Sequence, residues 1–222
     1  MKEESKNGFF GVYKPAGPTS HDIIDELRKI TGISKIGHAG TLDPAAKGIL
    51  VVAIGRQYTK KISKYRNSEK EYKAIIELGK VSDTDDKEGR IKAVDVQKIP
   101  KIEEVESKLE EFTGTIEQIP PVYSAVKING TPSYKLAREG KDPEPPARKV
   151  IVKDIELINY DYPKIELKIT TGPGVYIRAI ARDLGEKLET GGLLADLVRT
   201  KVGEFNLKNS YKLDELKEKN PT

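Results

Sequence analysis

The chain has 222 residues, of which 36% are hydrophobic and 33% are charged, and its formal net charge is +4. This composition is typical of a polar globular protein, and no apolar run approaches the length that a bilayer-spanning helix needs. Cysteine is absent and the two histidines are His21 and His38. Disulfides, thiolate nucleophiles and cysteine- or histidine-rich metal sites are therefore excluded, so the chemistry must use carboxylates, hydroxyls and cations. The N-terminal residues lack an apolar targeting segment, and a cytoplasmic location is expected.

The first half of the chain is predicted to contain short strands and one clear helix. Phe9–Lys14 is predicted as a strand, and Thr19-x-x-Asp22 is the pattern of a capping box. The apolar residues that follow fall on one helical face and are Ile23, Ile24, Leu27 and Ile30. A loop is predicted over Gly37–Pro44. Two further strands are predicted, at Gly48–Gly55 and Glu71–Leu78, before an exposed polar loop or hairpin tip in VSDTDDKEGR.

The second half mixes helices and strands without strict alternation. A helix is predicted over Ile102–Thr113, and Asn129-Gly130 predicts a hairpin turn with Tyr123–Ile128 as one arm. Period-two alternation predicts two strands, carried by Val150, Val152, Ile155 and Leu157 and by Ile165, Leu167 and Ile169. The later predictions are a helix over Ile177–Leu188, a shorter helix at Leu193–Thr200 and a strand at Val202–Phe205. These elements favour a single domain with a mixed, largely antiparallel sheet and helices packed on it.

Three segments carry residues that could do chemistry. They are GHAGTLDP with Asp43, EKEYKA with Tyr72, and TGPGVYIR with Tyr176 and Arg178. Each also has an ordinary structural explanation. Asp-Pro initiates turns, an aromatic residue in a strand is common core, and an arginine at the start of a helix is usually solvated.

Four ordered segments resemble the TruB family of tRNA pseudouridine synthases. They are KPAGPTSHD (14–22), IGHAGTLDPAAKGILVVAIG (36–55), QIPPVYSAVKINGTPSYKLAREG (118–140) and GPGVYIRAIARDLGEKLETGGLLADLVRTKVG (172–203). With EYKA between the second and third, the resemblance spans nearly the whole chain. GHAGTLDP followed by an apolar strand is the most specific part.

The resemblance implies an α/β (α+β) pseudouridine synthase fold, with a mixed, mostly antiparallel sheet flanked by helices and a thumb-like insertion at about 118–148. Residues 1–222 are expected to form one catalytic domain. The chain ends soon after Gly203, so the C-terminal RNA-binding domain of PUA type that bacterial members carry is not expected. The implied reaction isomerises the TΨC-loop uridine at position 55 of tRNA, with no cofactor and no metal.

The resemblance also implies roles for individual residues. Asp43 is expected to be the catalytic carboxylate, either as a nucleophile or as a base that removes a ribose proton. Arg178 matches the arginine that keeps this carboxylate charged. Tyr72 matches the tyrosine that stacks on the target base and assists removal of the C5 proton.

Further residues are expected to bind the substrate. Tyr176 and Leu197 match positions that line the pocket, His38 matches a loop histidine that holds everted bases, and Lys14 is expected to shape the pocket wall. The GPGVY turn before Tyr176 departs from the usual family form. The insertion carries cations that suit an RNA clamp, namely Lys127, Lys135, Arg138, Lys141, Arg148 and Lys149.

The expected partner is the T-arm stem-loop of tRNA, from which the target uridine must be flipped. A monomer without membrane contact or guide RNA is expected. Two alternatives stay open at this point. One is a guide-dependent enzyme of the dyskerin type, which shares the catalytic motifs but also carries a PUA domain. The other is a non-catalytic RNA chaperone, against which the intact Asp43, Tyr72 and Arg178 argue.

Overall fold

The structure is a computed structural model that describes residues 7–219. The N-terminal residues 1–6, to which the expectation of no targeting segment mainly applies, lie outside the described part. The chain separates into two compact units, one from residues 1–72 and 197–222 and the other from residues 73–196. We call them the outer-segment unit and the central unit. The expectation of a single domain stays a prediction.

The outer-segment unit is built from both ends of the chain. Its elements are β1 (Gly8–Lys14), α1 (Ser20–Thr31), β2 (Ile36–His38), β3 (Lys47–Ile54), α2 (Arg56–Thr59), α3 (Ser63–Arg66), the start of β4 (Lys70–Leu78), the end of β12 (Gly192–Val202), β13 (Phe205–Asn206) and α7 (Leu213–Lys219). Strand β3 pairs antiparallel with β1 and β2, and it pairs in parallel with β12. β13 pairs antiparallel with the end of β12.

Helix α1 forms because its apolar residues share one face and because its first turn is capped. Thr19 and Asp22 form the expected capping box, with Asp22 N donating to Thr19 Oγ1 at 3.1 Å and Thr19 N donating to Asp22 Oδ2 at 2.7 Å. Gly32 ends the helix with a left-handed φ of 71°. The buried helix residues join one core cluster with strand residues of β1 and β3, namely Val12, Ile23, Ile24, Leu27, Leu50 and Val52.

Gly48 permits the parallel contact between β3 and β12. It is paired with Arg199, and its φ is 112°. A Cβ atom at this position would lie 2.2 Å from the backbone oxygen of Arg199. Only glycine therefore lets the two strands approach this closely without a backbone shift.

The central unit contains the remaining elements. They are β5 (Lys80–Ser82), β6 (Ile91–Ala93), α4 (Ile102–Glu110), β7 (Gly114–Gln118), β8 (Lys127–Ile128), β9 (Thr131–Pro132), α5 (Ser133–Arg138), β10 (Arg148–Asp161), β11 (Lys164–Thr171) and α6 (Ile177–Lys187). β10 pairs antiparallel with β11 and with β7, and short hairpins join β5 to β6 and β8 to β9. The mixed, mostly antiparallel fold class is confirmed.

Most of the predicted elements occur close to their predicted bounds, and the clearest error is at Leu193–Thr200. This segment is not a helix but most of strand β12, which runs on to Val202. The neighbouring residues Arg199 and Thr200 are both buried, which shows that this strand is covered on both faces. Such a strand lacks the alternation of polar and apolar residues that identifies a half-exposed strand.

Four smaller boundaries also differ. The expected loop at Gly37–Pro44 begins as strand, since β2 includes Gly37 and His38. The hairpin arm is confined to Lys127–Ile128, while the turn residues Asn129 and Gly130 have the predicted positive φ, at 50° and 84°. Helix α4 ends at Glu110, and the last strand, β13, is Phe205–Asn206.

The described residues contain neither a membrane-spanning helix nor a cluster of metal ligands. None of their helices is long and apolar enough to span a membrane. Within residues 7–219, no group of three or more histidine or acidic side chains is placed to hold a metal ion.

Candidate active site

Asp43 lies on the loop between β2 and β3, and we call residues 39–46 the aspartate loop. The loop begins with Ala39 N donating to Val51 O at 2.9 Å and ends with a turn in which Ala46 N donates to Asp43 O at 3.1 Å. Asp43 itself is half-buried. Strand β3, which follows the loop, is almost entirely buried, so the loop stands on a well-packed base.

Buried side chains from other elements fix the residues on either side of Asp43. Ser20, at the start of α1, accepts a hydrogen bond from Leu42 N at 2.9 Å and donates to Leu42 O at 3.0 Å. Lys14, at the end of β1, is fully buried and donates to Pro44 O at 2.9 Å and Pro15 O at 2.8 Å. Lys14 therefore holds the loop in place, which is consistent with the expected role in shaping the pocket wall.

A third side chain, Arg199 of β12, reaches the same loop and was missed in the sequence. Its Nε donates to Ile49 O at 2.7 Å, and Nη2 donates to Gly40 O at 3.1 Å. Nη1 lies 3.5 Å from Thr41 O. The residue is 2% exposed, and burial lowers the pKa of its guanidinium, while the charges of Tyr72 and Asp43 act in the opposite direction.

Tyr72 lies on β4, and its side chain is 6% exposed. Burial raises the pKa of the phenol. The positive charge of Arg199 and a side-chain hydrogen bond with it oppose this shift, and the charge of Asp43 reinforces it. The structure thus brings Asp43, Tyr72 and Arg199 into one electrostatic neighbourhood within the outer-segment unit.

His38 and Leu197 belong to the same unit. His38 ends β2, and burial lowers the pKa of its imidazole, with the Gly40 backbone opposing and the charge of Arg199 adding to the shift. The ring is therefore predominantly neutral at neutral pH. Leu197 is 9% exposed and precedes Arg199 by two residues in β12. Because side chains alternate along a strand, Leu197 projects from the same face as Arg199.

Arg178 lies in the central unit, in the first turn of α6. Its Nη1 donates to Thr84 O at 2.7 Å, its Nη2 donates to Tyr123 O at 3.0 Å, and its Nε is 3.6 Å from Asp86 Oδ2. The Arg178 and Asp86 side chains are only 6% and 10% exposed. Arg178 is thus not a solvated helix residue but a buried cation that ties together two loops of this unit. Its expected pairing with Asp43 stays a prediction.

The acidic loop that contacts Arg178 was expected to be exposed, and this expectation is wrong for two of its aspartates. Asp86 accepts from Thr84 Oγ1 at 2.6 Å and from Glu88 N at 2.9 Å, which shapes the loop around the carboxylate. Asp85 adopts a left-handed φ of 61° and bonds Arg182 Nη1 at 3.0 Å. Burial raises the pKa of Asp85 to about 6 even though Arg182 acts to lower it.

Tyr176 immediately precedes α6 and is held through its backbone by Gln118. Tyr176 N donates to Gln118 Oε1 at 2.9 Å, and Gln118 Nε2 donates to Tyr176 O at 3.1 Å. The guanidinium of Arg148 lies 5.0 Å from the centre of the Tyr176 ring and also donates to Gly174 O. Residues from both ends of the expected thumb therefore support Tyr176.

The insertion at 118–148 is mostly irregular apart from a short hairpin and helix α5. Lys127, Lys135, Arg138 and Lys141 are exposed, and Lys149 just beyond it is also exposed. Arg138 lies 5.6 Å from the centre of the Tyr134 ring. Exposed cations beside an aromatic ring are a suitable surface for a phosphate backbone with accessible bases.

The structure places the predicted residues in two groups. Lys14, His38, Asp43, Tyr72 and Leu197 lie in the outer-segment unit, whereas Tyr176 and Arg178 lie in the central unit. Sequence reasoning missed Arg199 and Asp86. The signal that could have found Arg199 is an arginine in an apolar, strand-forming run, since a buried cation needs several specific partners.

Two family models match consecutive parts of the chain. Residues 28–177 match the N-terminal domain of TruB family pseudouridylate synthases, and residues 178–220 match the C-terminal domain of tRNA pseudouridylate synthase B. Their boundary falls at the start of α6 and differs from the division into compact units.

Curated relatives are similar along nearly the entire chain. A protein of Caldanaerobacter subterraneus named tRNA pseudouridine synthase B is 44% identical over 96% of this chain and 75% of its own length. A protein of the same name from Trichormus variabilis is 44% identical over 94% of this chain and 72% of its own length.

Among solved structures, a chain in a crystal structure of a Cbf5-Nop10-Gar1 complex superposes with a TM-score of 0.73 and 28% identity. The match covers 94% of this chain and 53% of that one, so this chain spans about half the length of that structural relative. A chain from an H/ACA RNP bound to a substrate RNA gives a TM-score of 0.69 with 25% identity.

Proposed function

This chain belongs to the TruB family of pseudouridylate synthases, and we propose that it converts the T-loop uridine at position 55 of tRNA to pseudouridine without a guide RNA. The observation that carries the proposal is the setting of Asp43. Its carboxylate stands on a loop fixed by Lys14, Ser20 and Arg199, beside the buried ring of Tyr72. Such a site can position one carboxylate against a nucleoside with little reorganisation.

The proposed reaction needs no electron acceptor and no second substrate. The bond between N1 of the base and C1′ of the ribose breaks, the base turns, and C5 forms the new bond to C1′. The C5 proton leaves to a base or to water, and N1 ends protonated, so atoms and electrons balance within one nucleotide. Acid–base and nucleophilic groups of the protein are sufficient for these steps.

Asp43 is the group that starts this reaction in our proposal. It either attacks the nucleotide as a nucleophile or removes a ribose proton as a base, and both roles need the ionised form. Arg199 brings a positive charge near the Asp43 carboxylate. Arg178 is proposed to contribute in the same way, held for that purpose by Thr84, Tyr123 and Asp86.

Tyr72 is proposed to stack on the flipped uracil and to help remove the C5 proton. Its high pKa keeps the phenol protonated at neutral pH, so its hydroxyl serves as a hydrogen-bond donor or as a relay. Leu197 supplies an apolar wall, and the neutral ring of His38 is suited to hydrogen bonding with displaced loop bases. Removing a stacked uridine from the loop costs a few kcal/mol, which these contacts must offset.

The RNA partner is proposed to be the T-arm of tRNA, recognised by its shape and by its phosphates. The exposed cations of the thumb, including Lys135 and Arg138, are the proposed clamp. The relatives that match at 44% identity are named tRNA pseudouridine synthase B, whereas the chain from the Cbf5-Nop10-Gar1 complex matches at 28%. This difference favours action on tRNA without a guide RNA. A monomer in the cytoplasm stays part of the proposal.

The target position is tested by mapping the product. A tRNA transcript incubated with this protein alone should gain one pseudouridine at position 55, and a transcript with cytidine at that position should gain none. Nuclease digestion followed by nucleoside chromatography separates pseudouridine from uridine. Modification at another position, or modification that requires an added guide RNA, would contradict the proposed specificity.

A further inference from the structure

We propose that Arg199 is a positioning residue of the active site, which holds the aspartate loop in place through one guanidinium group. The proposal rests on the proposed function for its effect on rate, but its effect on the loop is independent of it. Arg199 comes from the C-terminal part of the chain and joins strand β3 at Ile49 to the loop at Gly40, with Tyr72 within reach of its charge.

The guanidinium of Arg199 donates to backbone carbonyls in several directions. Nε donates a hydrogen bond to Ile49 O at 2.7 Å, which anchors the side chain on strand β3. Nη2 then donates to Gly40 O at 3.1 Å, while Nη1 points to Thr41 O at 3.5 Å. These two carbonyls immediately precede Leu42 and Asp43, so Arg199 holds the stretch of backbone that leads to the Asp43 carboxylate.

The charge of Arg199 also acts on Tyr72. It opposes the rise in the pKa of the buried phenol, so the phenol lies close to the same group that holds the loop. Because the guanidinium is planar and presents its donors at fixed angles, it holds the carbonyls of Ile49 and Gly40 in one relative orientation. A lysine ammonium has three donors on a flexible stem and cannot reproduce this arrangement.

A role in packing alone would not explain this residue. Burying a cation in a central strand is costly, and an apolar side chain of similar volume is often equally stable or better there. The position next to Arg199 offers a comparison, because Thr200 is also buried and its hydroxyl donates to Glu71 Oε1 at 2.7 Å rather than to the aspartate loop. Thr200→Val is therefore a matched control for the loss of a buried polar contact on the same strand.

The first measurement follows hydrogen exchange of the loop amides in the protein without RNA. In Arg199→Lys, the amides of Leu42 and Ala46 should exchange about tenfold faster than in the wild type, equivalent to about 1.4 kcal/mol. Thr200→Val should leave these amides within about twofold of the wild type. Unchanged loop exchange in Arg199→Lys would overturn the proposal.

The second measurement is the single-turnover rate with saturating RNA. Arg199→Lys should lower this rate about tenfold while the Kd for RNA changes less than about threefold, because the misplaced groups act in the reaction rather than in binding. Thr200→Val should keep the rate. Combining Arg199→Lys with Tyr72→Phe should cost less than the product of the two separate losses, since the charge of Arg199 acts on the Tyr72 phenol.

The outcomes separate the two proposals. An inactive wild type whose loop exchange still depends on Arg199 would refute the proposed function and leave the positioning role intact. Independent losses in the double variant, or a rate loss that Thr200→Val reproduces, would overturn the link to Tyr72.

If Arg199→Lys does not fold, the wild type still gives a decisive result. Its Arg199 Nη protons should appear as separate NMR signals because a bonded guanidinium rotates and exchanges slowly. One averaged signal would overturn the proposal.

Discussion

Asp43→Asn should lower the single-turnover rate of pseudouridine formation by about a hundredfold to ten-thousandfold or more. The change keeps the size of the side chain but removes the ionised oxygen that attacks or accepts a proton. Leu42 and Pro44 remain fixed by Ser20 and Lys14, so the loop should keep its shape. The Kd for tRNA should therefore change less than about threefold.

Asp214→Asn is a suitable control, because it removes the same charge from an exposed position in α7. It should leave both rate and affinity unchanged. Activity of Asp43→Asn near that of the wild type would refute the catalytic assignment. A large loss of tRNA affinity would show instead that Asp43 acts mainly in binding.

Arg178→Lys should lower the single-turnover rate about tenfold to a hundredfold, although the charge is preserved, because losing charge-assisted hydrogen bonds in a buried site costs about 1.5–3 kcal/mol. An ammonium cannot bond Thr84 O and Tyr123 O while it also faces Asp86. The predicted pairing of Arg178 with Asp43 would be disturbed as well.

Arg182→Lys is the matched control for this prediction. Arg182 lies four residues further along α6. It contacts the carboxylates of Asp85 and Asp183 and donates a hydrogen bond to Ile119 O. Its substitution should lower stability but leave the rate of the folded protein nearly unchanged. Equal rates for Arg178→Lys and the wild type would show that Arg178 has no part in the reaction.

The sequence was most informative where local rules decide the structure. The capping box at Thr19 and the turn at Asn129-Gly130 depend on residues close together in the chain, and both are confirmed. The apolar run of β3 also occurs as predicted. The aspartate loop could be located because its motif is continuous in sequence.

The site contacts that were missed depend on residues far apart in the chain. Arg199 meets Ile49, which lies 150 residues away in sequence, and no spacing rule predicts that contact. The mistaken helix at Leu193–Thr200 also concealed that Arg199 lies on a covered strand. Asp86 was hidden for a different reason, because an acidic loop is usually solvated and only the fold brings Arg178 to it.

The central claim is that this chain isomerises uridine in tRNA by itself, and release of tritium from C5 tests it most directly. A tRNA transcript labelled with tritium at C5 of its uridines should lose the label from one uridine per molecule when incubated with this protein and no other component. Release should match pseudouridine formation one to one and should cease in Asp43→Asn. RNA binding without tritium release by the wild-type protein would contradict the account and favour an RNA chaperone.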